Sequence, residues 1–310
     1  MTSVNRAMNA REWAMLLVLS ILWGGSFFFT AIAVKELPPL TIVFLRVAVA
    51  ALTLYAIIAI IGIRMPTEPR AWFAFALMSA VNNIIPFTLL VWGQTRIPSG
   101  VASVLNATTP FFTLLIAHVA TTDEKLTGAR IIGVIVGLAG VAVMIGQSLS
   151  AFDSSLAGEL AILAAALSYA AGGVIARRFS ATGVSPLASS TGLLTVSAVV
   201  TLPLMLVFDQ PWTLALPSPG AILAIAGLAI AGTALAYLLY FRLIATAGAT
   251  NLMLVTFLMP AVAIVLGVAV LGERLEPRHI IGMALIALGL AAIDGRLWRR
   301  LRGRTVAPAE

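Results

Sequence analysis

The chain has 310 residues, 61% of them hydrophobic and only 10% charged, with a mean hydropathy of +1.06. That composition excludes a soluble globular protein and places the chain among integral membrane proteins. The net charge of +7 could suit nucleic acid, but the basic residues cluster at the ends of apolar segments, so a membrane topology signal is the better reading and no nucleic-acid partner is expected. A spanning helix needs roughly 20 apolar residues. Ten candidates follow in chain order, at about 13–33, 38–61, 71–94, 98–120, 129–147, 157–177, 184–207, 219–243, 248–270 and 278–294. Short polar punctuation separates them, such as "KELPP", "IRMPTEPR" and "TTDEKLTGAR". Alternating β-barrel patterning is absent, so the expected fold is all-α. The first span follows Arg6 and Arg11 and ends in Ala31-Ile32-Ala33. It is longer than a signal-peptide core, and it is expected to be retained.

Lysine and arginine set the orientation. With a cytoplasmic N-terminus, the inner segments hold Arg6, Arg11, Arg64, Arg70, Lys125, Arg130, Arg177, Arg178, Arg242 and the basic tail from Arg296 to Arg304. Only Lys35, Arg46, Arg96, Arg274 and Arg278 fall to the other side. Both termini are therefore expected on the cytoplasmic side of a multi-pass membrane protein.

The sequence repeats internally. "EKLTGARIIGVIVGLAGVA" (124–142) matches "ERLEPRHIIGMALIALGLA" (273–291) at seven of nineteen positions, and Pro110 aligns with Pro260. The chain divides into residues 1–148, residues 149–295 and a basic tail, 296–310. Each half carries five spans. Because five is odd, the second half enters the membrane from the opposite side. Such inverted repeats accompany alternating access around a midplane site. The duplication also makes a monomer sufficient.

These features resemble a known family. "LWGGSFFF" in the first span, its counterpart "LSYAAGGVIARR" in the sixth, and the Pro110–Leu126 and Pro260–Leu275 motifs are similar to those of the drug/metabolite transporter superfamily, in its EamA-type branch. Within it the chain looks like exporters of amino acids and related metabolites, including the YddG-type exporters of aromatic amino acids. The resemblance implies a substrate cavity between the halves, lined by helices 1, 3, 4, 6, 8 and 9, with helices 5 and 10 packed behind.

The polar residues can be set against that division. Ser99, Ser103, Asn106, Pro110 and Thr113 recur at spacings of one helix face. Ser79, Asn82, Asn83 and Pro86 share a broad face of the third span. Thr233, Tyr237 and Tyr240 line the eighth, and Trp23, Ser26 and Thr30 the first. Such stripes must face protein or water. Interhelical bonding and cavity lining both satisfy them. Trp23, Trp92 and Tyr169 are further candidates for stacking on a flat substrate or filling core, while Trp13, Trp72, Trp212 and Trp298 suit the interfacial belt. Pro86, Pro110 and Pro260 are expected to kink their helices and serve as hinges. Arg46 is the strong charge inside a span, about 10 Å from the helix start. It must snorkel, bond helix carbonyls or meet a substrate carboxylate. Glycines 133, 137, 140, 282 and 289 mark the fifth and tenth spans as packing helices.

Other chemistries lack their residues. Cysteine is absent, and His118 and His279 lie far apart, so thiolate or histidine-cluster metal sites are excluded and no cofactor is expected. No Walker loop or catalytic constellation is present, so neither ATP coupling nor an enzyme is expected. No carboxylate lies at the centre of a span, which favours a substrate moving down its own gradient; together with the resemblance, this makes facilitative export of a small amphipathic metabolite, amino acids foremost, the expected function. A multidrug, sugar or nucleoside exporter with proton coupling is the alternative; a lipid scramblase or membrane enzyme is more remote.

Overall fold

The computed structural model describes residues 8–120, 128–151, 154–179 and 184–294. Glu124, Lys125, Leu126 and the basic tail lie outside them. The described residues form ten helical passes: α1 (Ala10–Ala33), α2 (Pro39–Ile60), α3 (Pro69–Gln94), α4 (Ser99–Ala120), α5 (Gly128–Ala151), α6 (Ser154–Phe179), α7 (Pro186–Asp209), α8 (Pro219–Ala247), α9 (Val255–Leu271) and α10 (Pro277–Asp294). Seven of them are long and apolar enough to cross a bilayer; α5, α9 and α10 contribute shorter apolar stretches. The protein is thus an all-α membrane protein, and its boundaries fall within about four residues of those expected, except that α9 starts at Val255 rather than 248 because a separate turn, Ala249–Leu252, precedes it.

Local chemistry explains the ends. Asn9 and Glu12 form a reciprocal capping box that starts α1. Helices α2, α3, α7, α8 and α10 each begin on proline. There the missing N–H has no intrahelical partner to lose and the fixed φ is already helical. Gly272 ends α9 at φ +67°, a left-handed position that glycine adopts without a Cβ penalty.

The helix pairings are symmetric under exchange of the two halves. Helix α1 packs on α8 and α9, and α6, its repeat partner, packs on α3 and α4. Helix α2 meets α7 and α8, while α3 meets α7. The remaining pairs, α4 with α9 and α5 with α10, map onto themselves. Every helix of the first half therefore packs against the second, as expected for inverted repeats interlocked about a two-fold axis in the membrane plane. Helices α5 and α10 form the tightest pair. A Cβ on Gly133 would sit 2.7 Å from the Gly289 carbonyl oxygen, and one on Gly140 would sit 2.7 Å from that of Gly282. Only hydrogen at these positions permits such backbone approach.

Helical irregularities lie near Pro86 in α3 and Pro110 in α4, whereas α9 runs unbroken through Pro260. Helix α3 widens to a π-helix over Ala80–Ile84, immediately before Pro86. Helix α8 does so over Gly227–Leu235, the repeat-equivalent position, without a proline. Helix α4 breaks at Ala107–Thr108, just before Pro110. Pro260 lies inside α9, six residues past Leu254, where a preceding turn (Ala249–Leu252) joins that helix. Backbone irregularity of this kind is tolerated at membrane depth only where protein or water covers it.

Candidate functional site

Arg46 lies at the centre of the candidate site. It lies on α2, seven residues past Pro39, and is only 8% exposed. It does not snorkel. Its Nε donates to Thr233 Oγ1 at 3.0 Å, and its guanidinium lies 3.6 Å from the Phe87 ring centroid. Thr233 can accept that bond because its own hydroxyl donates to the Leu228 carbonyl, five residues back in the π-helix of α8. Arginine, threonine and phenylalanine thus join α2, α8 and α3 across the two halves. Tyr169 of α6 and Tyr237 of α8 lie within electrostatic range of the guanidinium. Among the described residues no carboxylate pairs with it, and its two terminal nitrogens have no protein partner. A buried cation left this way is costly unless an anion meets it.

An amide–hydroxyl network lies beside this group. Tyr237 Oη donates to Asn83 Oδ1 at 3.3 Å, and Asn83 Nδ2 donates to Ser197 Oγ at 3.1 Å. Ser79 Oγ and Ser197 Oγ are 2.7 Å apart. Ser79, Asn83 and Ser197 are fully buried. Their bonds join α3, α7 and α8, and only the tyrosine end is partly accessible. Asn82 turns the other way. It is half-buried and lies against Gly172 of α6, where a Cβ would collide with its amide.

The aromatic residues form a connected wall. Trp23 lies 5.7 Å from Tyr240, which meets Phe241 edge-on at 5.0 Å, and Phe241 lies 6.2 Å from Tyr237. Trp23, Tyr169, Tyr237 and Tyr240 are all partly accessible although surrounded by apolar core. Ser26 faces Gly232 of α8, whose missing side chain leaves room for its hydroxyl, and bonds its own Leu22 carbonyl. Asn106 lies at the α4 break. Its Oδ1 is buried with no partner. Like Arg46, it is seven residues past the start of its helix, so both lie about 10 Å below the same face.

Other candidates lie apart. Ser103 is fully buried and bonds the Gly100 carbonyl. Trp92 is at the end of α3, where Arg96 stacks 3.6 Å from its ring centroid. There Lys35, Gln94, Arg96 and Glu273 line a surface cavity of about 450 Å³. A second cavity, about 430 Å³ and almost wholly apolar, lies among α4, α9 and α10 beside Pro260.

Three residues escaped the sequence reading. Phe87 was one more phenylalanine in an apolar run. Ser197 lies on α7, outside the helices that the resemblance implied as lining. The Ser190, Ser197, Thr201 spacing, one helix face, was the signal for it. Glu159 lies near the start of α6 rather than mid-span, yet it is only 1% exposed.

Comparison with known proteins adds the family. The model of the EamA-like transporter family matches residues 11–146 and 156–293. The uncharacterized inner membrane transporter YedA of Escherichia coli K12 is 27% identical, over 90% of this chain and 89% of its own. A probable amino-acid metabolite efflux pump of the same organism is 25% identical, over 94% and 98%. Protein PecM of Dickeya dadantii is 26% identical, over 88% of each. One solved crystal structure superposes with a TM-score of 0.68 at 19% identity, over 96% of this chain and 100% of that one.

Proposed function

The chain belongs to the EamA-like transporter family, a membrane metabolite transporter, and from that premise we propose that it exports small amphipathic carboxylates, amino acids foremost, from a bacterial cytoplasm across the inner membrane. One observation carries the substrate class. Arg46 is buried between the halves with its terminal nitrogens unmet, beside a wall of tyrosine and tryptophan. A carboxylate would take the bidentate fork of the guanidinium, and an apolar or aromatic side chain would lie on the rings. Asn106 Oδ1, buried without a donor, is an acceptor suited to an ammonium group. The likeness to a probable amino-acid metabolite efflux pump supports the same choice. Transport runs by alternating access and down the substrate's own gradient.

The test is counterflow in proteoliposomes with a panel of labelled amino acids, each competed by its own carboxamide. Amino acids should compete and their carboxamides should not. Equal competition by both would remove Arg46 from substrate recognition. A second reading, proton-coupled export, is favoured by the buried carboxylate of Glu159. It requires that a protonophore collapse the flux and that Glu159→Gln abolish that sensitivity.

A further inference from the structure

We propose that Glu36, Asp209 and Glu273 form a three-point latch that holds the face opposite the termini closed, each by capping a helix that belongs to the other half. The inference rests on alternating access and is independent of substrate identity. Asp209, at the end of α7, accepts from the Thr41 backbone N–H at 2.6 Å and the Thr41 hydroxyl at 2.8 Å. Glu36, after α1, accepts from the Ser218 N–H at 2.7 Å and hydroxyl at 2.6 Å. Glu273, after α9, accepts from the Ser99 N–H at 2.8 Å, the Ser99 hydroxyl at 3.0 Å and the Gly100 N–H at 3.2 Å.

The sequence prepares these contacts. A helix start exposes N–H groups and a positive dipole end. Helices α2 and α4 begin after Pro38 and Pro98, whose side chains make no capping hydrogen bond. Each start is therefore left to a carboxylate from the opposite repeat. Ser218 caps α8 through its oxygen while its hydroxyl proton goes to Glu36. All three bridges cross between halves, and all lie on one face. Moving the halves apart on the latched side must break every bridge, so the three carboxylates set how much of the protein is open there.

The chain has no cysteine, so one introduced thiol reports opening cleanly. Thr30, near the latched end of α1, is 2% exposed. In proteoliposomes, Thr30→Cys should react slowly with a membrane-impermeant maleimide applied to the latched face. Adding Glu36→Gln, Asp209→Asn and Glu273→Gln together should raise that rate about tenfold or more, because each neutral side chain gives up the stronger, charge-assisted bond. A correctly assembled triple variant that reacts at the parental rate would overturn the latch. Hydrogen exchange on the unmodified protein gives a readout independent of mutant folding. Peptides covering Thr41, Ser99–Gly100 and Ser218 should exchange with one shared opening rate. Three independent rates would mean three separate caps and no common gate.

Discussion

At the scale of single residues, the hydrogen-bond inventory separates two kinds of polar group. Arg46 has one side-chain bond and an aromatic face, and keeps its other donors free of protein partners. Arg46→Gln should lower competition affinity in counterflow about 10- to 100-fold, the span expected for losing bonds to a charged group. Arg46→Lys should recover part of it, since a point charge lacks the planar fork. Asn83, Ser79 and Ser197 instead satisfy one another. Ser197→Ala would leave two buried groups short of a partner and should cost about 1–3 kcal/mol of stability, measured as a lowered Tm in detergent. Asn82→Ala, at a half-buried amide with no such network, should cost less. The depth of Arg46 was legible in the sequence. Its partner was not, because Thr233 is 187 residues away and periodicity within one helix carries no information about which distant helix faces it.

At the scale of elements, the packing pair and the two π-helices behave differently. Helices α5 and α10 approach until backbone meets backbone, and a Cβ on Gly289 would lie 2.7 Å from the Gly137 nitrogen. Gly289→Val should destabilise by about 1–3 kcal/mol through overpacking, while correctly folded protein keeps its substrate affinity because this pair lies outside the Arg46 group. Thermal unfolding and counterflow on the same preparation check both halves of that statement. The π-helix of α3 lies beside Pro86, but that of α8 has Ala236 at the equivalent place and widens all the same. The distortion therefore belongs to the repeat, and the proline is an accessory to it. Pro86→Ala should leave transport within a few-fold of the parent; loss of transport would make the proline itself the hinge. Asn82 and Asn83, which face Gly232 and Thr233 in the alignment, give the symmetric distortion an asymmetric chemistry.

At the scale of the whole molecule, the latch on one face ties conformation to protonation. Bonds from the Ser218 hydroxyl, and then from its N–H, hold the exposed Glu36 carboxyl below its ordinary value of 4.5. A depressed carboxylate contributes above its unfolded pKa and is lost as pH falls through the folded one. External acidification from pH 8 to 5 should leave the Glu36 bridge intact; well below pH 4.5 it should open and speed labelling of Thr30→Cys from that face. Glu36→Gln should remove that acid-induced step at Glu36.

Spacing and composition were enough to determine ten apolar passes, the duplication, the packing role of the glycine-bearing pair and the depth of the buried arginine, because each follows from distances along the chain. The sequence also carried Glu36, Asp209 and Glu273, but only as charges in loops. The tertiary structure decided that Thr233 and Phe87 enclose Arg46, that Ser197 ties Ser79 to Asn83, and that all three carboxylates cap helices of the opposite repeat. These contacts join residues far apart in the chain, so they depend on the three-dimensional match between interlocked halves, which no local pattern records.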